Sequence, residues 1–123
     1  MRKIEIRVES LQDGLNKFID TFNKIKEGKK IKKEKYISVS SIEELNKLLS
    51  PQRLKLLNFL RSNKVSSIKE LSNKLNRDYK NVYSDLKLFE GIGLVRLKRN
   101  KRQIVPEILY DEIDIKIPLG NTV

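Results

Sequence analysis

Two helical stretches held three residues apart constrain this chain more than any other feature in it. Residues 68–75 and 79–90 carry apolar side chains at helical spacing, Ile68, Leu71 and Leu75 in the first and Val82, Leu86 and Phe89 in the second, with only Asn76, Arg77 and Asp78 between them. Helices joined by so short a link cross steeply, which is the helix-turn-helix geometry. The punctuation agrees. Ser67 with Glu70 three residues on reads as a capping box, Asn76 suits the left-handed residue that ends a helix, and Asp78 suits the cap of the next one. A further helix precedes the pair: Ser50 and Pro51 supply an N-cap and a first-position proline, and Leu54, Leu56, Leu57, Phe59 and Leu60 carry it toward Asn63.

The second helix of the motif has two unlike sides. On a wheel of about 100° per residue, Val82, Leu86 and Phe89 cluster with Tyr79 flanking them, while Lys80, Ser84 and Lys87 lie opposite and Asn81 and Tyr83 take the shoulders. The outward side is polar and basic, with Asp85 the one acid near it, and its donors suit base edges and phosphates. GIGLVRLKRNKRQIVP then predicts a strand through Leu94, Val95 and Leu97, a turn at Asn100, and a return strand through Ile104 and Val105. Its tip is crowded with Arg96, Lys98, Arg99, Lys101 and Arg102, which reads as a wing contacting phosphate or the adjacent minor groove. The expected DNA contacts are therefore Arg77, Tyr79, Lys80, Asn81, Tyr83, Ser84 and Lys87 on the helix and those five cations on the wing.

The charge of the whole chain points the same way. Among 123 residues, 27 Lys and Arg against 16 Asp and Glu leave a net +11, and residues 51–102 alone hold 14 basic and 4 acidic side chains, a net of +10. A second basic run includes Lys29, Lys30, Lys32 and Lys33, on a connector that reads chiefly as solvated loop. Such a balance favours a polyanionic partner, here double-stranded DNA. The chain contains neither Cys nor His. That excludes thiolate and imidazole catalysis and Cys- or His-ligated metal sites, so no enzymatic activity, no cofactor and no metal is expected. No stretch approaches the roughly 18 apolar residues of a membrane span, and the alternating opening residues are not a secretory signal, so a soluble cytoplasmic protein with no membrane partner is expected.

The two ends of the chain are less specific. Ile4, Ile6 and Val8 alternate with Lys3, Glu5, Arg7 and Glu9, the period of a half-buried strand. Ser10, with Asp13 three residues on, then caps a helix in which Leu11, Leu15, Phe18, Ile19, Phe22 and Ile25 form one continuous stripe, closed by Gly28. Such a stripe needs a partner surface. Burial within the chain is one reading, and dimerisation through those six residues is the favoured one. YISVS reads as a short strand and SSIEELNKLL as a short helix, while Ile113, Ile115 and Ile117 alternate as a strand fitted to pair with residues 3–9. The acids Asp111, Glu112 and Asp114 read as a solvated edge, and no internal repeat is expected.

The run IKELSNKLNRDYKNVYSDLKLFEGIGLV resembles the winged helix-turn-helix core of prokaryotic repressors of the ArsR and MarR type, with Leu71, Ser72, Leu75, Val82, Leu86, Gly93, Leu94 and Val95 in register. With SPQRLKLLNFL before it and IDIKIPL closing it, the chain is similar over nearly all its length to small archaeal and bacterial DNA-binding regulators, some of which resemble antitoxins encoded beside a TumE-type toxin. Asn76 stands where such repressors often have Gly, and Arg77 where an apolar residue is common, which points Arg77 toward phosphate. The Cys and His of the metal-sensing relatives have no counterpart, so metal sensing is not implied.

These readings combine into an α+β winged helix-turn-helix domain over 50–106, an N-terminal strand and helix extension over 1–49 that assists dimerisation, and a C-terminal strand and tail over 107–123. The expected function is sequence-specific binding of duplex DNA by a homodimeric transcriptional repressor of its own or a neighbouring operon. The alternative is an antitoxin that neutralises a protein toxin, with DNA binding secondary.

Overall fold

The computed structural model describes residues 1–30 and 35–120, so Lys32 and Lys33 lie outside the described residues. Among them the chain order is β1 (Lys3–Val8), α1 (Leu11–Lys26), β2 (Tyr36–Val39), α2 (Ile42–Leu48), α3 (Pro51–Ser62), α4 (Ile68–Leu75), α5 (Tyr79–Gly91), β3 (Val95–Asn100), β4 (Gln103–Ile108) and β5 (Glu112–Lys116). Two compact units share these elements: residues 1–3 with 49–112, and residues 4–48 with the segment from 113 onward.

In the first unit three helices pack with a two-stranded antiparallel ribbon, and local chemistry makes each joint. The Ser50 and Ser67 hydroxyls accept the N–H groups of Arg53 and Glu70 at 3.3 and 3.0 Å, starting α3 and α4 at the caps the sequence marks. α4 ends on Asn76 at φ 53° and ψ 47°, where the N–H groups of Asn76 and Arg77 donate to the carbonyls of Asn73 and Ser72 at 3.1 and 3.0 Å. That left-handed step swings the chain into α5. Asp78 stands at the N-cap with extended backbone, but its carboxylate makes no capping hydrogen bond. α5 closes as α4 does, through Gly93 at φ 84°, with Gly93 and Leu94 donating to Glu90 and Phe89 at 3.1 and 2.9 Å. Asn100 pairs with Gln103, so the hairpin turn is Lys101 and Arg102, one residue beyond the expected position. The core takes Leu56, Leu57 and Leu60 from α3, Ile68 and Leu71 from α4, Val82, Leu86 and Phe89 from α5, and Leu94 and Val95. Three helices crossing over such a ribbon form a winged helix-turn-helix, with α4 and α5 as the motif and β3–β4 as the wing.

In the second unit β1 and β2 run parallel, Ile6 beside Ile37 and Val8 beside Val39, and α1 is the crossover between them. The sheet order β2-β1-β5 places the C-terminal strand next to β1, as the matching alternation of the two segments predicts. Ile4, Ile6, Val39, Leu45 and Leu48 are buried. Glu5 and Arg7 of β1 lie beside Tyr36 and Ser38 of β2 on the other face. There Lys17 of α1 pairs with Glu9, its ammonium 5.0 Å from the centre of the Tyr36 ring, and the Arg7 guanidinium lies 4.0 Å from the same centre. α1 starts where Ser10 Oγ accepts the Asp13 N–H at 3.1 Å and stops at Gly28, φ 75°. None of its residues is buried.

A short phrase is shared by the two units, which corrects the expectation of no internal repeat. Residues 39–45, VSSIEEL, and 65–71, VSSIKEL, differ at one position. Both start a helix by the same device: the hydroxyls of Ser41 and Ser67 accept the N–H groups of Glu44 and Glu70 at 3.1 and 3.0 Å. The two glutamates reach back to the N–H groups of Ser40 and Ser66 at 2.8 and 3.1 Å, and to their hydroxyls. These donors hold both carboxyls below the ordinary carboxylate value, as Arg96 does for Glu107 and the Arg2 backbone N–H does for Asp111. A carboxyl depressed in the folded state contributes stability above its unfolded value, and that contribution is lost as the pH falls through the folded one. The melting temperature is therefore expected to stay level over roughly pH 6 to 9 and to drop progressively below about pH 4.5. Glu44→Gln with Glu70→Gln should shrink that drop in calorimetry across the acid range.

Candidate nucleic-acid interface

Because Val82, Leu86 and Phe89 are fully buried, each contributing about 1.5–3 kcal/mol, the opposite side of α5 is fixed outward. On it Tyr79, Lys80, Asn81, Ser84 and Lys87 are exposed and Tyr83 is half-buried. Tyr79 and Tyr83 stack one turn apart, ring centres 6.2 Å apart and planes within 17°, which stiffens the first turn. Lys87 Nζ lies 2.8 Å from Glu90, whose carboxylate pushes the lysine pKa up while neutralising part of its field.

Two expected positions are corrected. Asp85 is buried rather than near the outward side, its Oδ1 accepting from Arg53 Nε of α3 at 3.0 Å and its Oδ2 from Arg77 Nη2 at 2.8 Å. Arg77, expected at phosphate, is turned inward by that carboxylate. Its side chain is only 17% exposed, and its Nη1 is buried with no hydrogen-bond partner among the described residues. Inside the unit the charge-assisted bond to Asp85 stands in place of the guanidinium's contacts with water. Arg77 stands where an apolar residue is common in the resembling repressors, which marks the position as unusual but does not by itself show which way the side chain turns.

The wing cations divide into two groups. Arg96 and Lys98 share Glu107 at 2.7 and 3.4 Å. Arg99, Lys101 and Arg102 are exposed at or beside the tip and make no ion pair among the described residues. Lys101 is the first of the two turn residues and sits at φ 57°. Two-residue hairpin turns demand a positive φ there, which glycine or asparagine supplies at little cost and lysine at about 1 kcal/mol. A cation is kept where the backbone prefers glycine. Lys101→Gly is expected to raise stability by about 0.5–1 kcal/mol, a shift of a few degrees in a thermal melt.

The remaining expected site residues, Leu11, Leu15, Phe18, Ile19, Phe22 and Ile25, lie along one side of α1 in the other unit, and all six are exposed. Among the described residues no helix is long and apolar enough to cross a membrane.

Among solved structures, similarity is found to the solution NMR structure of a fragment, residues 1–100, of Mb0332 from Mycobacterium bovis. That fragment is described as a homodimeric winged helix-turn-helix DNA-binding domain of a possible ArsR-family transcriptional regulator. The TM-score is 0.46 and the identity 18%, over 52% of this chain and 59% of that one, so this chain spans less than two thirds of that fragment. No curated protein matches the chain. The model of the HVO_A0114 family matches residues 48–115, which begin at the end of α2, take in the three helices and the hairpin, and stop within β5. Since that match covers more than half of the sequence, the chain belongs to the HVO_A0114 family.

Proposed function

We propose that this protein is a sequence-specific, double-stranded DNA-binding regulator of transcription that acts as a dimer and represses its own or a neighbouring operon. The observation that carries the reading is the outward face of α5 beside an unpaired cationic wing tip in the same compact unit, with the helix's one acid in that stretch, Asp85, withdrawn inward. In this reading α5 enters a major groove about 12 Å wide, with Lys80, Asn81, Tyr83 and Ser84 toward base edges and Lys87 toward phosphate. Tyr79 stiffens the entering turn through its stack on Tyr83. Arg99, Lys101 and Arg102 clamp the flanking backbone, and Arg96 and Lys98 support them. Arg77 acts through Asp85 to hold the angle of α5 rather than touching phosphate. A two-fold dimer presents two such helices about 34 Å apart, so half-sites one helical turn apart are expected.

The test is a gel shift with duplex from upstream of the protein's own gene against scrambled duplex of equal length and composition. Preferential retardation of the native duplex is expected; equal retardation of both would remove sequence specificity from the proposal.

A further inference from the structure

A helix that crosses between two parallel strands ordinarily lays its apolar stripe on the sheet it spans. α1 does the reverse. Lys17, on its charged side, meets the sheet's polar face through Glu9 and Tyr36, while Leu11, Leu15, Phe18, Ile19, Phe22 and Ile25 remain between 48% and 79% exposed. At those exposures six Leu, Ile and Phe residues leave on the order of 700 Å² open, more than a monomer's largest apolar patch usually spans and close to the ~800 Å² per partner of a stable interface.

We propose that α1 pairs with α1 of a second copy of this chain. Leu11, Leu15, Phe18, Phe22 and Ile25 follow one another at intervals of four, three, four and three, the alternation of a coiled-coil seam. Asp13, Lys17, Asp20 and Lys24 fall on the far side of the helix and only Lys26, in the last turn, flanks the seam, so a partner of opposite charge finds no row of charges to read along it. A second copy presents the matching apolar row. Gly14 and Thr21 flank the seam one heptad apart. Gly14 is the fourth residue of α1, where glycine is less favourable than alanine, and a Cβ there would meet nothing within 4 Å in its own chain. Close approach by a partner helix accounts for a side chain being absent there. This pairing supplies the two-fold contact that the DNA-binding reading uses, and it rests on that reading only for its purpose.

Sedimentation equilibrium of the full chain without DNA tests it. The wild type is expected to be dimeric at micromolar concentration, and Phe18→Glu with Phe22→Glu to weaken association roughly 1,000-fold with helix content by circular dichroism unchanged. Gly14→Arg, which has open space in the monomer, should weaken it roughly 10- to 100-fold, while Asp20→Arg on the far side leaves it as it was. A wild type that stays monomeric, or assembles only with a different protein, would overturn the proposal, as would Gly14→Arg associating like wild type. A monomer that still shifts its DNA removes the pairing and leaves the DNA reading; a dimer that shifts none does the opposite.

Discussion

Asp85→Ala is expected to lower the free energy of unfolding by about 2–4 kcal/mol, against the ~5–15 kcal/mol that a domain of this size has in total. The carboxylate is 9% exposed and is the shared acceptor of Arg53 at 3.0 Å and Arg77 at 2.8 Å. Its removal leaves two positive charges facing each other across α3 and the link into α5. Arg77 already carries one buried nitrogen without a hydrogen bond, so the loss would orphan a second. The figure is set somewhat below that of a fully buried pair because the Arg53 side chain keeps 27% of its surface in water. Urea unfolding followed by far-ultraviolet circular dichroism measures it. Replacing Arg77 and Asp85 together by leucine should cost less than Asp85→Ala, because the more deeply buried cation leaves with the carboxylate and only Arg53, 27% exposed to water, loses its bond to Asp85. If the single and double variants lose equally, the charge is not the cause. DNA binding by Asp85→Ala, tested below its melting temperature, should also weaken, since the triad ties α5 to α3.

Much of the first unit is legible in residues alone because its signals are local. Ser50, Ser67 and Asn76 each act within a few residues of their own position, so spacing reveals them. The inward turn of Arg77 depends on a carboxylate eight residues away, on the buried side of the next helix, and a helical wheel cannot show where a long side chain bends. The same limit hid the division of the wing cations, because Glu107 reaches Arg96 across the hairpin. In the second unit alternation located β1 and β5 but not the parallel pairing of β1 with β2, which joins segments about thirty residues apart. The stripe on α1 was visible from the start. Only the fold shows that its own sheet leaves it uncovered, since periodicity reports an apolar face and not its partner.

Binding of specific duplex is expected to fall by about 10³- to 10⁴-fold between 50 and 200 mM salt, corresponding to about six to eight neutralised phosphates per dimer. On the proposed reading, the ion pairs divide the cations available to supply that number. Arg96 and Lys98 are shared with Glu107 and Lys87 with Glu90, whereas Arg99, Lys101 and Arg102 are free of such partners among the described residues, three per subunit. Lys80 adds to them on α5. Changing Arg99, Lys101 and Arg102 together to alanine removes six cations from a dimer and should bring the slope of log affinity against log salt from near −6 toward −1, with the preference for native over scrambled duplex largely kept. Asn81→Ala should do the converse, leaving the slope and reducing the preference by about 10- to 100-fold if its amide reads a base edge. Fluorescence anisotropy across a salt series separates the two outcomes. A slope unchanged by the triple substitution would mean the wing tip does not touch the backbone, and the strained lysine at φ 57° would then need another explanation.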